Sequence, residues 1–257
     1  MTRSRGLGDV YKRQGLIGRV TLTRPEKLNA INDDMPRDLE EAITLANDYP
    51  DVSVIILSGN GKAFCSGYDL SEYSQGNESN RFTQKMPWDP IKDYQTMWND
   101  TQHFMSIWKS LKPVICKVHG FAIAGGSDIA LCSDMIIMAD NAEIGYMPSR
   151  VWGTPTTAMW VHRIGPEKAK KMLFTGDKIN GKEAEKIGLV LESVSPENLD
   201  ERVETLANRI KTVPINQLAM QKMVINQYME TSGITQMQRL STISVSYTHL
   251  RAHETWS

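Results

Sequence analysis

Apolar residues recur along the chain in two patterns, one with the period of a strand and one with the period of a helix. The alternation over residues 15–23, which are rich in β-forming side chains, predicts a strand, and the apolar run at 51–57 predicts a second. Between them, apolar residues at helical spacing follow the start signal Asp33-Asp34-Met35-Pro36 and predict an amphipathic helix. Its core positions are Leu39, Ala42, Ile43 and Ala46. Strands that alternate with helices indicate an α/β protein with a mixed or parallel sheet covered by helices.

The middle of the chain repeats this alternation around a glycine-rich segment. A helix is predicted over 94–111, and its apolar stripe is typical of a core-facing helix rather than of a cofactor site. Short buried strands are predicted at 113–117 and 135–139, on either side of the glycine-rich segment. The composition of residues 71–93, which are polar and irregular in pattern, predicts a mobile loop that lies over the candidate functional site. The stripe of the helix consists of Met97, Thr101, Phe104, Met105 and Trp108.

The last third of the chain predicts a series of helices. A loop over 147–160 leads into this region. The helices are predicted over 166–174, 181–187, 200–211 and 214–229. The predicted core positions of the last helix are Ile215, Leu218, Met220 and Val224.

Composition and charge restrict the class of protein. The chain has 257 residues, 40% of them hydrophobic, which is enough for a substantial α/β core. A formal net charge of -1 with dispersed charges argues against a nucleic-acid-binding surface. The odd number of cysteines without metal-ligand spacing, Cys65, Cys116 and Cys132, indicates reduced thiols. Because the sequence has neither a membrane-length apolar run nor a signal peptide, we expect a soluble, cytoplasmic protein.

The amino-acid sequences of the two ends of the chain are consistent with one DNA tag read in opposite directions. Residues 8–14 can be back-translated into a DNA whose reverse complement, in its third frame, encodes residues 245–250. An inverted tag of this kind resembles the adapter that transposase-based sequencing libraries add. We therefore expect residues 1–14 and 245–257 to be adapter translations, and the C-terminal helical region at 201–244 to be incomplete.

Two glycine corners carry the candidate chemistry. The first, at 120–126, joins a predicted strand to a helix that begins near Gly126, and its small residues let a ligand approach the backbone. The free N–H groups of a helix start favour a developing negative charge, so this corner can be an oxyanion hole or simply a close-packing turn. The second corner, at 63–70, contains a Ser-Gly turn followed by Asp69, a pattern that is also common in ordinary turns.

Three motifs of the chain resemble those of the crotonase (enoyl-CoA hydratase/isomerase) superfamily in order and spacing. They are Arg24-Pro25-x-Lys27-Leu28-Asn29-Ala30-Ile31, residues 63–70 and residues 120–134, and the likeness covers residues 15–244. The resemblance implies an α/β fold in which a spiral of β-β-α repeats over 15–200 makes two roughly perpendicular sheets. It also implies C-terminal helices that form homotrimers or hexamers, and an acyl-CoA substrate.

The resemblance also implies roles for particular residues. The thioester carbonyl would lie between the backbone N–H groups of Tyr68 and Gly125, which would stabilise the negative charge of an enolate oxygen. Asp128 stands where the family has its first catalytic Glu, and Ser149 stands where it has its second. The residues implied to line the coenzyme A or acyl moiety are Lys27, Leu28, Ala30, Ser66, Gly67, Asp69, Leu70, Gly126, Ser149 and Arg150.

The replacement of the second Glu by Ser149 leaves the reaction open. Asp128 alone could shuttle a proton between two carbons of an enolate, which is isomerase chemistry. Alternatively, Tyr146 or Arg150 could position a water molecule for hydration. The purely structural interpretations are that Asp128 is an acid favoured at a helix N-terminus and that Arg150 forms a surface or intersubunit ion pair.

Three functions are compatible with the motifs to different degrees. The favoured one is an acyl-CoA enzyme that stabilises a thioester enolate, an enoyl-CoA hydratase or isomerase of fatty-acid or related acyl-CoA breakdown. The alternative is a non-catalytic acyl-CoA-binding or scaffold member of the same fold. A hydrolase with Ser127 as nucleophile is disfavoured, because the segment lacks the second glycine of a nucleophile elbow. With no Rossmann, Walker A or metal-ligand pattern in the sequence, we expect no metal and no cofactor beyond the coenzyme A of the substrate.

Overall fold

The computed structural model describes residues 11–14, 17–70, 84, 87–151 and 153–254. The strands are β1 (Tyr11–Gln14), β2 (Ile17–Leu22), β3 (Val54–Gly59), β4 (Val114–Val118), β5 (Phe121–Ile123), β6 (Met135–Ala139), β7 (Glu143–Gly145), β8 (Lys178–Asn180) and β9 (Glu192–Val194). The α-helices are α1 (Met35–Asp48), α2 (Pro90–Lys109), α3 (Gly125–Leu131), α4 (Met159–Thr175), α5 (Gly181–Ile187), α6 (Leu199–Ile210), α7 (Ile215–Thr231) and α8 (Ile234–Glu254). Short 3-10 helices cover Pro25–Lys27, Met147–Arg150 and Pro196–Asn198.

The larger sheet forms the centre of the protein. Within the described residues its strand order is β1-β2-β3-β4-β6-β9, with β1 antiparallel to β2 and the other neighbours parallel. Parallel strands that are covered on both faces are largely apolar, and β3, β4 and β6 have this composition apart from Ser58 in β3 and Lys117 in β4. Helix α6 packs against these three strands, and α1 packs against β2 and α2. The predicted core residues of α1 and α2 are confirmed as buried.

The smaller sheet lies beside the larger one and carries the candidate site. Its strands follow the order β5-β7-β8, with β5 parallel to β7 and β7 antiparallel to β8. Single bridges from Cys65 to Ala122 and from Ile31 to Tyr68 continue the same pairing in earlier parts of the chain. A strand of the larger sheet, a segment of the smaller sheet and a helix therefore follow one another, as in β4-β5-α3 and β6-β7-α4. The predicted β-β-α spiral is confirmed.

The helices differ most from the prediction at α2, at α4 and at α8, for which no helix was predicted. Helix α2 begins at Pro90, because the carboxylate of Asp89 caps it by accepting hydrogen bonds from the N–H groups of Ile91 and Lys92. The predicted mobile loop at 71–93 thus ends in a helix, and most of it lies outside the described residues. Helix α4 begins at Met159, within the loop predicted over 147–160, and non-helical Gly165 (φ 73°, ψ 168°) interrupts it.

Helix α7 turns a different face to the protein from the one that its sequence predicts. The prediction of its core positions is wrong: Ile215, Met220 and Val224 are exposed and Leu218 is only partly buried. The buried residue of the helix is Lys222, whose ammonium group lies 2.7 Å from the Asp134 carboxylate. A largely buried ion pair therefore fixes the face of α7 that packs on the protein, and the apolar spacing indicated the wrong face.

The two ends of the described chain are ordered elements. Strand β1 pairs with β2, and helix α8 runs to Glu254 with Val245 buried. The predicted adapter origin of residues 1–14 and 245–257 concerns their coding DNA, so it stays a prediction, as does the incompleteness of 201–244.

Two predictions from composition concern thiols and membrane spans. Cys65, Cys116 and Cys132 are free, as predicted, and all three are buried. Burial raises the pKa of the Cys65 thiol to about 12, so it stays protonated at neutral pH. Within the described ranges, none of the helices combines the length and the apolarity needed to cross a membrane.

Candidate active site

Helix α3 begins at the glycine corner that the sequence predicts. Ala124, with a φ of 51°, turns the chain from β5 into the helix. The N–H groups of Ser127 and Asp128 donate to the Ala124 carbonyl oxygen at 2.9 and 3.2 Å. The N–H groups of Gly125 and Gly126 therefore precede the first hydrogen-bonded turn, as expected at a helix start.

The two glycine corners pack against each other with no room for a side chain between them. A β-carbon on Gly126 would lie 2.3 Å from the carbonyl oxygen of Cys65. Gly67 has a φ of 94°, and a β-carbon there would lie 3.0 Å from the β-carbon of Ala124 and 3.7 Å from the nitrogen of Gly125. The backbone at Gly67 and the backbone at Gly125 are thus direct neighbours.

Tyr68 follows Gly67 and is oriented by its bridge to Ile31. The Ile31 N–H donates to the Gly67 carbonyl oxygen at 2.8 Å, and the Asp69 N–H donates to the Ile31 carbonyl oxygen at 2.9 Å. Because successive peptide groups of an extended segment point to opposite sides, the N–H of Tyr68 points away from Ile31. The Tyr68 ring packs beside Gly125, where a β-carbon would lie 3.0 Å from its Cε2 atom.

Asp128 lies in the first turn of α3 and is only 4% exposed. Burial raises the pKa of its carboxyl group to about 7, against a smaller lowering by a hydrogen bond from Thr157. In that bond the Thr157 hydroxyl donates to Asp128 Oδ1 at 2.5 Å. A carboxyl group with this pKa is present in both protonation states near neutral pH, which suits a proton carrier.

The other residues predicted near the reaction centre have local partners. Burial, and then the charge of Asp128, raise the pKa of Tyr146 well above its usual value, so these two side chains are electrostatic neighbours. The Ser149 hydroxyl donates to the Tyr146 carbonyl oxygen at 2.8 Å. Arg150 is exposed and pairs with Asp177 at 3.2 Å, which agrees with the interpretation of a surface ion pair.

The motif that begins at Arg24 is joined to the second glycine corner. The Arg24 guanidinium lies 3.2 Å from the carboxylate of buried Asp69 and donates to the Ala30 carbonyl oxygen at 2.5 Å. The Ser66 N–H donates to the Leu28 carbonyl oxygen at 3.1 Å. These bonds hold the two implied lining segments side by side.

The implied lining residues differ in their exposure. Lys27 and Leu70 are exposed, and Leu28 and Ser66 are partly exposed, so these four are open to a ligand. Ala30, Gly67, Asp69 and Gly126 are buried, and they contribute backbone or packing rather than an exposed side chain.

The geometry around Ser127 argues against a nucleophile. Its side chain is buried, and its hydroxyl donates to the Ala124 carbonyl oxygen at 2.7 Å. His119 contacts the Gly61 carbonyl oxygen at 2.9 Å. In the part of the chain that the structure describes, no three His, Cys, Asp or Glu side chains come together as a metal site would require.

Comparison with known proteins decides the family. Residues 12–254 match the sequence model of the family described as enoyl-CoA hydratase/isomerase. The chain belongs to this family. The resemblance to the crotonase superfamily in the three motifs is thereby confirmed.

Curated members of the enoyl-CoA hydratase/isomerase family resemble the chain over most of their length. A crotonyl-CoA hydratase of Syntrophomonas wolfei is 33% identical over 214 residues, which are 82% of this chain and 78% of that protein. A short-chain-enoyl-CoA hydratase of Clostridium acetobutylicum is 29% identical over 225 residues, which are 86% of this chain and 82% of that protein.

Solved structures of the enoyl-CoA hydratase/isomerase family share the fold. An enoyl-CoA hydratase from Mycobacterium smegmatis is 40% identical with a TM-score of 0.86, covering 93% of this chain and 83% of that one. A probable enoyl-CoA hydratase from Mycobacterium thermoresistibile is 27% identical with a TM-score of 0.84, covering 95% of this chain and 98% of that one.

Two residues of the candidate site in this member of the enoyl-CoA hydratase/isomerase family were not predicted from the sequence. Thr157 bonds the Asp128 carboxyl group, and the side chain of Gln238 in α8 donates to the Thr157 carbonyl oxygen at 3.0 Å. The two lie far apart in sequence, in a Pro-Thr-Thr loop and in a helix. No local spacing connects them, so only the folded chain could reveal the contact.

Proposed function

We propose that the protein binds an acyl-CoA thioester where the two glycine corners meet and catalyses a reaction through a thioester enolate, as an enoyl-CoA hydratase or isomerase. The observation that carries the proposal is the carboxyl group of Asp128, buried one turn into the helix that starts at Gly125, with a pKa of about 7. A buried, otherwise costly acid next to backbone donors is typical of a catalytic site.

The proposed oxyanion hole consists of the backbone N–H groups of Tyr68 and Gly125. The close approach of Gly67 to Gly125 brings these two peptide segments together. Rigid backbone donors aimed at the thioester oxygen favour the enolate, where the negative charge develops, more than the neutral ground state. By analogy with hydrolase sites, each donor lowers the barrier by about 3 kcal/mol.

Asp128 is the proposed proton carrier. As a carboxylate it removes a proton next to the thioester carbonyl, and as an acid it returns that proton to the same or to another carbon of the enolate. Burial and the Thr157 hydrogen bond explain its pKa with no contribution from a second described carboxyl group. A single carrier is sufficient for moving a double bond from C3 to C2, whereas hydration also requires a positioned water molecule.

Hydration is favoured by the relatives. The crotonyl-CoA hydratase and the short-chain-enoyl-CoA hydratase that resemble this chain are named for adding water to short 2-enoyl thioesters. Tyr146, beside Asp128, and Ser149, whose hydroxyl lies in the following turn, are the groups that we propose to position the water. In this proposal the non-catalytic scaffold is disfavoured, because a scaffold has no use for an acid with a pKa near 7.

We propose that the coenzyme A moiety runs along the junction of the Arg24 motif with the second glycine corner. Lys27, Ser66 and Leu70 offer exposed or partly exposed side chains there. The ion pair between Arg24 and Asp69 keeps the junction in place. No cofactor other than the coenzyme A of the substrate enters this proposal.

The proposed assembly is a homotrimer or a pair of trimers, and the proposed location is the cytoplasm. Helix α7 supports the assembly, because it exposes a set of apolar side chains that a partner subunit could cover. These are Met220, Met223, Val224, Ile225 and Tyr228. The three free thiols support a reducing compartment.

Product analysis tests the proposed function. The protein is incubated separately with crotonyl-CoA and with a 3-enoyl-CoA, and the thioesters are separated by chromatography. A 3-hydroxyacyl-CoA formed from crotonyl-CoA establishes the hydratase, and a 2-enoyl-CoA formed from the 3-enoyl-CoA establishes the isomerase. Tight binding of both thioesters without either product would contradict the proposal and favour the scaffold.

A further inference from the structure

The carboxyl group of Asp128 is held from one side by the loop that precedes α4. Within the described residues, Thr157 is the residue whose side chain donates to it, at 2.5 Å from Oδ1. Both side chains are almost fully buried, so water does not compete for this bond. A short bond to a group that carries charge is strong and directional. It therefore restricts the rotation of the carboxyl group.

Thr157 is itself held by the C-terminal helix α8. The Gln238 side-chain amide donates to the Thr157 carbonyl oxygen at 3.0 Å, and Gln238 is 3% exposed. The Thr242 hydroxyl in turn donates to the Gln238 carbonyl oxygen at 2.8 Å. A chain of contacts thus runs from α8 through the loop to Asp128.

Other residues of the loop before α4 are held by separate hydrogen bonds. Thr156 and Thr101 of α2 share a hydroxyl hydrogen bond of 2.7 Å. The Ser241 hydroxyl of α8 donates to the Pro155 carbonyl oxygen at 2.9 Å. Because these bonds fix the loop without contacting Thr157, they offer control positions for an experiment.

We propose that Thr157 and Gln238 are positioning residues for Asp128, which makes helix α8 part of the machinery that moves the proton. Because the Thr157 hydroxyl bonds Oδ1, the geometry assigns the proton in transit to Oδ2. Gln238 acts one step further away, by fixing the backbone from which the Thr157 hydroxyl is presented. Asp128 carries the proton only if the proposed function is right, so this role of Thr157 rests on that function.

The electrostatic surroundings of Asp128 predict how the bond acts. The Thr157 hydroxyl stabilises the carboxylate and lowers the pKa of Asp128, against the larger effect of burial. Within the described residues, the titratable side chains that feel the Asp128 charge are Cys132, just after α3, and Tyr146, just after β7; burial first, and then this charge, raise the pKa of each well above its usual value. Both stay neutral near pH 7, so they do not titrate together with Asp128.

The test compares Thr157→Val, which removes the hydroxyl, with Thr157→Ser, which keeps it. The readouts are the pKa of Asp128, from a ¹³C carboxyl titration with the signal assigned by Asp128→Asn, and the pH profile of kcat for crotonyl-CoA. For Thr157→Val we expect the pKa to rise by about one pH unit and kcat at pH 7 to fall on the order of tenfold. Thr157→Ser should stay close to the unmodified protein in both.

Gln238→Ala and the control Ser241→Ala test whether helix α8 acts on Asp128 through Gln238. Gln238→Ala should raise the pKa of Asp128 by less than Thr157→Val does, and it should add nothing in a Thr157→Val background, because both act through one bond. Ser241→Ala should leave the pKa unchanged. An unchanged pKa and pH profile in Thr157→Val would overturn the inference, as would an equal change in Ser241→Ala. Full turnover by Asp128→Asn would instead overturn the proposed function, while the carboxyl titration would still report on Thr157.

Discussion

Gly126 in the first turn of α3 faces the carbonyl oxygen of Cys65, and a β-carbon on Gly126 would lie 2.3 Å from that oxygen. This contact joins the two glycine corners through rigid backbone atoms on both sides. The proposed donor pair depends on it, because the distance between the corners sets the distance between their N–H groups. Glycine at this position is therefore a steric requirement of the site.

Gly126→Ala should mainly reduce stability, whereas Gly125→Ala should mainly reduce turnover. The β-carbon of Gly126→Ala meets backbone that cannot yield, so we expect a loss of about 1–3 kcal/mol in the free energy of unfolding. In Gly125→Ala the β-carbon meets the ends of the Ile31 and Tyr68 side chains, which can shift. We expect a smaller loss of stability but a larger loss of turnover, measured by urea unfolding and crotonyl-CoA kinetics. Equal stability of the two variants would contradict this packing.

The raised pKa of Asp128 predicts how stability depends on pH. The folded protein binds this proton more tightly than the unfolded chain, whose pKa is near 3.8, so stability falls as the pH rises from about 4 to about 7. Asp128→Asn removes this loss. Relative to the unmodified protein, the variant should gain about 4 kcal/mol between pH 4 and pH 8 in urea unfolding. Glu167→Gln, on an exposed part of α4, is the control and should show no such gain.

The ion pair between Arg24 and Asp69 should stabilise the junction of the two lining segments. Asp69 is buried, so Asp69→Ala removes the carboxylate that faces the Arg24 guanidinium, and we expect a loss of about 1–3 kcal/mol in the free energy of unfolding together with a raised KM. Asp34→Ala breaks an exposed pair with Arg37 and should cost less than about 1 kcal/mol. Equal losses in the two variants would argue against a structural role of Asp69.

Lys222 should anchor α7 through its bond to Asp134. Lys222→Met leaves a largely buried carboxylate without its cation, so we expect a loss of about 3–5 kcal/mol in the free energy of unfolding. The control is Lys178→Met, which removes a pair of the same 2.7 Å length on the surface and should cost less than about 1 kcal/mol. A stability of Lys222→Met close to that of the control would show that another contact docks the helix.

The sequence predicted the parts of the fold in which local pattern and tertiary packing agree. The apolar spacing of α1 and the glycine corner before α3 are examples, because a helical stripe or a steric requirement leaves its mark on neighbouring residues. Strands β5 and β7 were missed, since three residues are too few to show an alternation. The docked face of α7 was assigned wrongly, because Lys222 is buried by a partner distant in sequence.

The sequence predicted the glycine corners and the acid of the candidate site, but not the surroundings of that acid. The motifs indicated both corners and Asp128, and the fold brings Gly67 next to Gly125. The environment of Asp128 was not predictable, because its Thr157 contact depends on a loop that α8 holds in place. The pKa of a carboxyl group follows from such surroundings and not from its place in a motif.

Exchange of the α-protons of butyryl-CoA in D₂O tests the central claim most directly, because it requires only enolate formation and is independent of hydration or isomerisation. Mass spectrometry follows deuterium at C2 with the unmodified protein and with Asp128→Asn. We predict enzyme-dependent exchange that falls ~100-fold or more in the variant, whose amide cannot carry the proton. Exchange at an unchanged rate in Asp128→Asn would contradict the assignment of Asp128 as the proton carrier.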